Sequence, residues 1–202
     1  MKAWHFAQEN RRLGYNDGRL IRKGQWLVHR GPLVMCESGL HASKRIIDAL
    51  KYASGSVICR VELGGEIVHG EDKSVAERRQ CLWYIDGTDL LRKFARMCAL
   101  DVIHLWDAPD IVIQYLRSGD ETIRAAARAA ARATAGATAR ATAWAAAGAA
   151  AEAAGAAAWA AARATAWATA RATARAKRDR RLLRLVSTEA KRLGILIARS
   201  DR

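Results

Sequence analysis

The chain has 202 residues and a formal net charge of +14, and about half of it, 51%, is hydrophobic by count. That length suits one large or two small domains, but much of the apolar count is alanine, which buries little area, so the core is smaller than the percentage suggests. Residues 1–120 hold 18 Lys+Arg and 15 Asp+Glu, a net of +3, whereas residues 121–202 hold 16 and 5, a net of +11. No apolar run reaches membrane-spanning length, and residues 1–15 lack the apolar stretch of a signal peptide. These features exclude a membrane span and lead us to expect a cytoplasmic protein without a membrane partner.

In chain order, Lys2–Ala7 reads as a short aromatic strand. Asn16-Asp17-Gly18 is a turn signal, and residues 19–30 read as a strand or hairpin with a turn at Lys23-Gly24. Leu33–Cys36 reads as a short apolar strand. Leu40–Ser43 leads into a helix that Ser43 can cap, with Ile46, Ile47, Leu50 and Tyr52 at helical spacing. Val57–Leu63 is the clearest strand, β-branched and then alternating. Gly64-Gly65 allows a turn or bulge, and Glu66–His69 continues or returns as strand. Ser74 to Trp83 fits strand or helix equally.

Asp86-Gly87-Thr88 opens a helical region with Leu90, Leu91, Phe94, Ala95, Met97 and Cys98 on its apolar side. A second short helix is expected over 100–106, and a third with Pro109 in its first turn. Asp120 is placed to cap the alanine-rich tract.

From 121 to 177 a non-alanine residue returns every fourth position: Arg124, Arg128, Arg132, Gly136, Arg140, Trp144, Gly148, Glu152. After a three-residue step to Gly155 the beat resumes at Trp159, Arg163, Trp167, Arg171 and Arg175. Alanine predicts helix throughout. A step of four drifts about 40° per repeat, so the marked residues spiral around the helix. The tract is expected to form a helical hairpin or bundle bent near Gly148–Gly155, or one rod of roughly 85 Å. Trp144, Trp159 and Trp167 are the groups that can lock the helix packing. Arg124, Arg128, Arg132, Arg140, Arg163, Arg171 and Arg175 form a solubilising face first and a candidate partner-binding surface second. Residues 178–202 read as a basic amphipathic helix with a break at Gly194 that folds back on the body or binds a partner.

The expected fold class is α+β. A small mixed β-sheet domain spans 1–85, a helical connector 86–120, the alanine-rich helices 121–177 and the C-terminal helix 178–202. The four cysteines (Cys36, Cys59, Cys81, Cys98) have no CxxC pairing and are expected to be reduced core thiols. His5, Cys36 and His41 are possible zinc ligands by type, but their spacing matches no known finger; no metal is assigned.

Cys36-Glu37-Ser38-Gly39-Leu40-His41-Ala42-Ser43, with Ala49, Tyr52-Ala53 and the run Val57 to Glu66, resembles an uncharacterised N-terminal domain family of phage and actinobacterial proteins. That family often carries alanine-rich tetrad tails, and no activity is established for it. The Gly39–Ser43 turn, the helix with Ala49 and Tyr52 and the Cys59–Leu63 strand also resemble the middle of ADP-ribosyltransferase folds. This second resemblance implies NAD as cofactor and His5, His41 and Ser43 as its binding candidates. His5 would hold the nicotinamide ribose, Ser43 would line the pocket wall, and Glu77 would be the catalytic glutamate. No complete His-Gly-Thr or Arg-Ser-Glu motif accompanies them.

The favoured reading is a non-enzymatic phage or bacterial accessory protein without a cofactor. It would bind a protein partner or itself, and could inhibit a host system from the host cytoplasm. The alternatives are an NAD-binding transferase and nucleic-acid binding through the basic helices.

Overall fold

The computed structural model describes residues 1–14, 17–134 and 157–195, with the side chains of 157–170 excepted. Asn16, Gly136, Arg140, Trp144, Gly148, Glu152 and Gly155 lie outside the described residues, as does the choice between rod and hairpin. So do the side chains of Trp159, Arg163 and Trp167. The fold is α+β, as the alternation of short strands and amphipathic helices implies.

Two units separate: Met1–Leu91 together with the segment from Arg175 onward, and Arg92–Ala174. The first unit is built on five antiparallel strands. These are β1 (Lys2–Ala7), β2 (Trp26–Val28), β3 (Leu40–Ala42), β4 (Val57–His69) and β5 (Ser74–Asp86). β1 pairs with β4 and β4 with β5. The other edge of β5 is lined end to end by β2 and β3, Leu27 lying opposite Arg79 and Leu40 opposite Ala76.

The sheet then closes on itself. Trp4 N–H donates to Ser43 O at 2.8 Å, and Ser43 N–H donates to Trp4 O at 2.9 Å. Just past β3, the chain thus meets the free edge of β1, and one residue pair makes a small barrel of the sheet. The interior is narrow, so small side chains face it: Ala3, Ala7, Ala42, Ala76, Cys59 and Cys81, beside Val57, Val61, Leu63, Leu27 and Leu40.

A bulge gives the barrel a second apolar layer. Val61 pairs with Cys81 but Arg60 pairs with Trp83, so Leu82 is an extra residue in β5. One inserted residue switches every later side chain to the other face. Tyr84 therefore shares the inner row with Cys59, and Trp83 and Ile85 share the outer face with Trp4, Phe6 and Ile58. All five outer residues are buried. Trp4 and Trp83 meet edge to face at 5.7 Å between ring centres. Helix α1 (Ile46–Leu50) packs on β1 and buries Ile46.

Several local expectations change. Leu33–Cys36 is no strand, because Val34 bridges to Ser38 and the chain turns between them with Cys36 at φ +71°. Leu40–Ala42 is a strand, and Ser43 pairs its backbone with Trp4 and lies two residues before the cap position of α1. Arg45 occupies the cap position of α1 without a side-chain cap bond, and Tyr52 lies beyond the helix, 48% exposed. Residues 74–86 are strand throughout. The expected helix over 100–106 reduces to a single 3-10 turn, Ile103–Leu105.

Helix α2 (Thr88–Leu100) starts where Asp86 Oδ1 accepts from the N–H and hydroxyl of Thr88. In the second unit, α3 (Asp110–Ser118) ends at Gly119, which adopts φ +71°. Asp120 Oδ1 accepts from the N–H of Thr122, and α4 (residues 124–134) begins just beyond. Helix α5 (Ala157–Arg192) ends at Gly194, φ +70°, whose turn is closed by Ile195 N–H to Ala190 O at 2.9 Å. Within the first unit, the C-terminal part of α5 folds back on the barrel domain. Leu182, Val186 and Ala190 recur every fourth residue and are fully buried, and Asp179 accepts from the N–H of Ile47 at 3.1 Å. No described helix is long and apolar enough to cross a membrane.

Candidate functional site

The barrel interior holds more chemistry than its apolar lining requires. The register places His5 opposite Cys59 and Cys59 opposite Tyr84, an inner row running across β1, β4 and β5. Arg79, opposite Leu63, projects from the same face and is 3% exposed. Its Nη1 donates to the carbonyl of His41. Among the described residues no carboxylate lies within ion-pair reach of it. Burial pushes its pKa down to about 10, so it remains a cation at neutral pH.

Its neighbours are set accordingly. Burial, then the charge of Arg79, then that of His41 hold the pKa of His5 well below its ordinary value. The neighbouring thiols of Cys59 and Cys81 act on each other, which raises Cys59 and lowers Cys81, while the Cys81 thiol donates to Trp83 O at 3.3 Å. The Arg11 guanidinium lies 4.7 Å over the Tyr84 ring and also donates to its hydroxyl. Asp17 is taken up by Arg19, whose Nε and Nη2 contact its two oxygens at 2.6 and 2.7 Å.

His41 contributes its carbonyl to this interior, while its ring serves the Cys36 turn. The Cys36 N–H donates to His41 Nε2 at 3.0 Å. Nε2 must therefore be bare, and Nδ1 carries the proton and donates to Gly39 O at 3.2 Å. Burial is the largest cause lowering the pKa of His41, followed by Lys73.

The remaining candidates disperse. Ser43 is the direct partner of Trp4, so its side chain lies on the outer face with Trp4, opposite to that of His5. Glu77 stands seven residues along β5 from Tyr84, roughly 23 Å of strand. Its Oε2 accepts from the N–H of Glu66 at 3.3 Å, at the bulge around Gly65. Cys36 is exposed and Cys98 half-buried, so two of the four expected core thiols lie outside the core. Among the described residues, no three His, Cys, Asp or Glu side chains are grouped to hold a metal ion.

Of the basic residues, Arg124 pairs with Glu121 at 3.0 Å, Arg128, Arg132 and Arg171 are exposed, and Arg175 is bound to Asp48.

A second feature lies on the barrel surface. Trp26 and Val28 of β2 are 39% and 40% exposed because β2 ends its sheet path and turns alternate residues to solvent. A shallow groove there is lined by Arg19, Gln25, Trp26, Leu27, Val28, His29 and Arg30. The Arg78 guanidinium sits 5.6 Å over the Trp26 ring. Gly64 makes room for that ring, since a Cβ there would lie 3.2 Å from it. Neither Arg79 nor Trp26 stands out in the sequence. The signal for Arg79 is a charged residue two before Cys81, readable only once residues 74–86 are known to be strand.

No curated protein and no solved structure matches the chain. Residues 1–93 match the model of a family described as Domain of unknown function (DUF7666), so the barrel with its helix α1 is similar to an uncharacterised domain family.

Proposed function

We propose that the protein is a non-enzymatic binding protein that docks a partner protein on the Trp26–Val28 groove. The observation that carries this reading is an exposed tryptophan and valine on a sheet-edge strand, rimmed by Arg30 and Arg78. Tryptophan and arginine are the side chains most enriched at protein interfaces, and an edge strand can accept an extended segment. The basic rim selects an acidic one. Within the first unit, the C-terminal part of α5 is tied to the barrel through Arg175 and the Leu182–Val186–Ala190 stripe. The phage or bacterial setting and a role against a host system rest on the sequence resemblance alone. The NAD-transferase alternative draws less support, because His5 faces inward, Ser43 outward, and Glu77 is engaged by the Glu66 N–H at the Gly65 bulge.

The test is affinity capture from a bacterial lysate with tagged wild type, Trp26→Ala and Arg128→Ala side by side. The expected result is a protein retained by wild type and Arg128→Ala and lost from Trp26→Ala. An identical captured set for all three overturns the reading. Captured material that nuclease removes, and that Arg128→Ala loses, points to nucleic acid on the helices. An oligomer by light scattering that survives Trp26→Ala assigns self-association elsewhere.

A further inference from the structure

We propose that the barrel interior between His5 and Arg79 is a binding site for a small anionic group, a carboxylate or a phosphate, gripped by the free donors of Arg79. The site is independent of the Trp26 groove.

A buried arginine is ordinarily matched by a carboxylate, because an uncompensated charge in a protein interior is costly. Arg79 is only 3% exposed and has no such match among the described residues. Only its Nη1 has an acceptor, the His41 carbonyl. Nε and Nη2 have none among the described residues, yet neither is sealed off from a water-sized probe. The same is true of both ring nitrogens of His5, which make no hydrogen bond among the described residues. His5 lies deep in the domain and still keeps accessible surface. The interior thus sets the unused donors of Arg79 near His5, whose imidazole feels the Arg79 charge.

The lining fits an anion. Arg79 offers its unused N–H groups, His5 a ring N–H, and Tyr84, in the same inner row, a hydroxyl. The Tyr84 oxygen already accepts from Arg11, which leaves its proton to donate. Among the described residues, the carboxylate that acts on Arg79, Asp17, is committed to Arg19. The inward residues Ala3, Ala7, Ala42 and Ala76 are small, which suits a small group.

The test uses the full chain and follows its melting temperature with potassium phosphate, potassium acetate and potassium chloride at matched ionic strength. A saturable rise of several degrees with phosphate or acetate, absent with chloride and absent in Arg79→Met, is the expected result. Phosphate alone identifies a phosphate group and acetate alone a carboxylate. A rise of equal size in Arg79→Met or with chloride marks an adventitious ion only and overturns the proposal, as does no rise with either anion. Should Arg79→Met fail to fold, the imidazole resonances of His5 in the wild type decide. They must shift saturably with the same midpoint as the melting temperature, and unmoved resonances overturn the proposal.

Discussion

Arg175 holds Asp48 across 127 residues of chain, with Nε at 2.9 Å and Nη2 at 2.5 Å from the same carboxylate oxygen. Asp48 is 4% exposed on α1, and its other cation, Arg45, is farther away at 3.7 Å. The pair fixes the end of the alanine-rich repeat to the barrel domain. It is a structural contact made by one arginine of a face that otherwise reads as solubilising. Arg175→Ala leaves Asp48 buried with its weaker partner, so a loss of about 1–3 kcal/mol is expected, discounted for the partial exposure of Arg175. Arg175→Lys recovers only part of it, because a single ammonium nitrogen replaces the rigid Nε and Nη2 pair that converges on Asp48. Urea unfolding of Arg175→Ala, Asp48→Asn and the double variant measures the coupling. Additive effects would show that the contact contributes nothing.

Gly39 is required by both conformation and space. Its φ is +114°, and a Cβ would lie 2.3 Å from Cγ2 of Val75 and 3.0 Å from Cδ2 of Leu33. Gly39→Ala should cost about 3 kcal/mol or more, combining backbone strain with overpacking. Gly14 is the control, because a Cβ added there would meet nothing within 4 Å, and Gly14→Ala should stay within about 0.5 kcal/mol. Chemical denaturation of the two variants distinguishes them, and equal midpoints would contradict the packing described.

Particular residues show why some of the fold is legible in the sequence and some is not. Val57–Leu63 alternates cleanly because β4 carries no inserted residue there, so its period can be read. β5 cannot be read, since Leu82 resets the alternation midway and leaves Arg79 out of phase with Trp83. Leu40–Ala42 is too short to show a period at all, and its pairing with Ala76 is a tertiary fact. Ser43 looks like a helix cap because serine before an apolar helical run usually is one. Here α1 begins only at Ile46, so Ser43 stands before the cap position and pairs with Trp4. His5 is conspicuous for its chemistry, but Arg79 is not, because a charge in an ambiguous segment reads as surface. The role of Arg175 is hidden for a different reason: its partner stands 127 positions away.

The cysteines should divide by burial. Cys36 is exposed on its turn, Cys98 is intermediate, and Cys59 and Cys81 are 0% and 3% exposed inside the barrel. Under native conditions a thiol reagent should modify Cys36 at once and Cys98 more slowly. Cys59 and Cys81 should react only as the barrel opens, whatever the acidity of Cys81, since access limits both. Peptide mass mapping over time assigns each rate. Fast native labelling of Cys59 would mean that the barrel does not close at Trp4 and Ser43.

Stability should fall as the solution is acidified through the histidine range. His5 and His41 both have folded-state pKa values below the ordinary 6.5, chiefly through burial. In the unfolded chain they take up protons below about pH 6.5, and in the folded chain they do so only at lower pH. The unfolded state thus binds more protons in that interval, and the free energy of unfolding decreases as pH drops, by up to about 1.4 kcal/mol per pH unit for each histidine. Asp17, Asp72 and Asp86 are shifted down from an ordinary 3.8, so their contribution is lost only below about pH 4 and does not overlap this window. Urea midpoints measured between pH 7 and 5 should decline in wild type, and His5→Gln should remove one of the two histidine contributions to the slope. A flat profile in wild type would show that neither imidazole is held neutral, and with it the polar interior around Arg79 would need a different account.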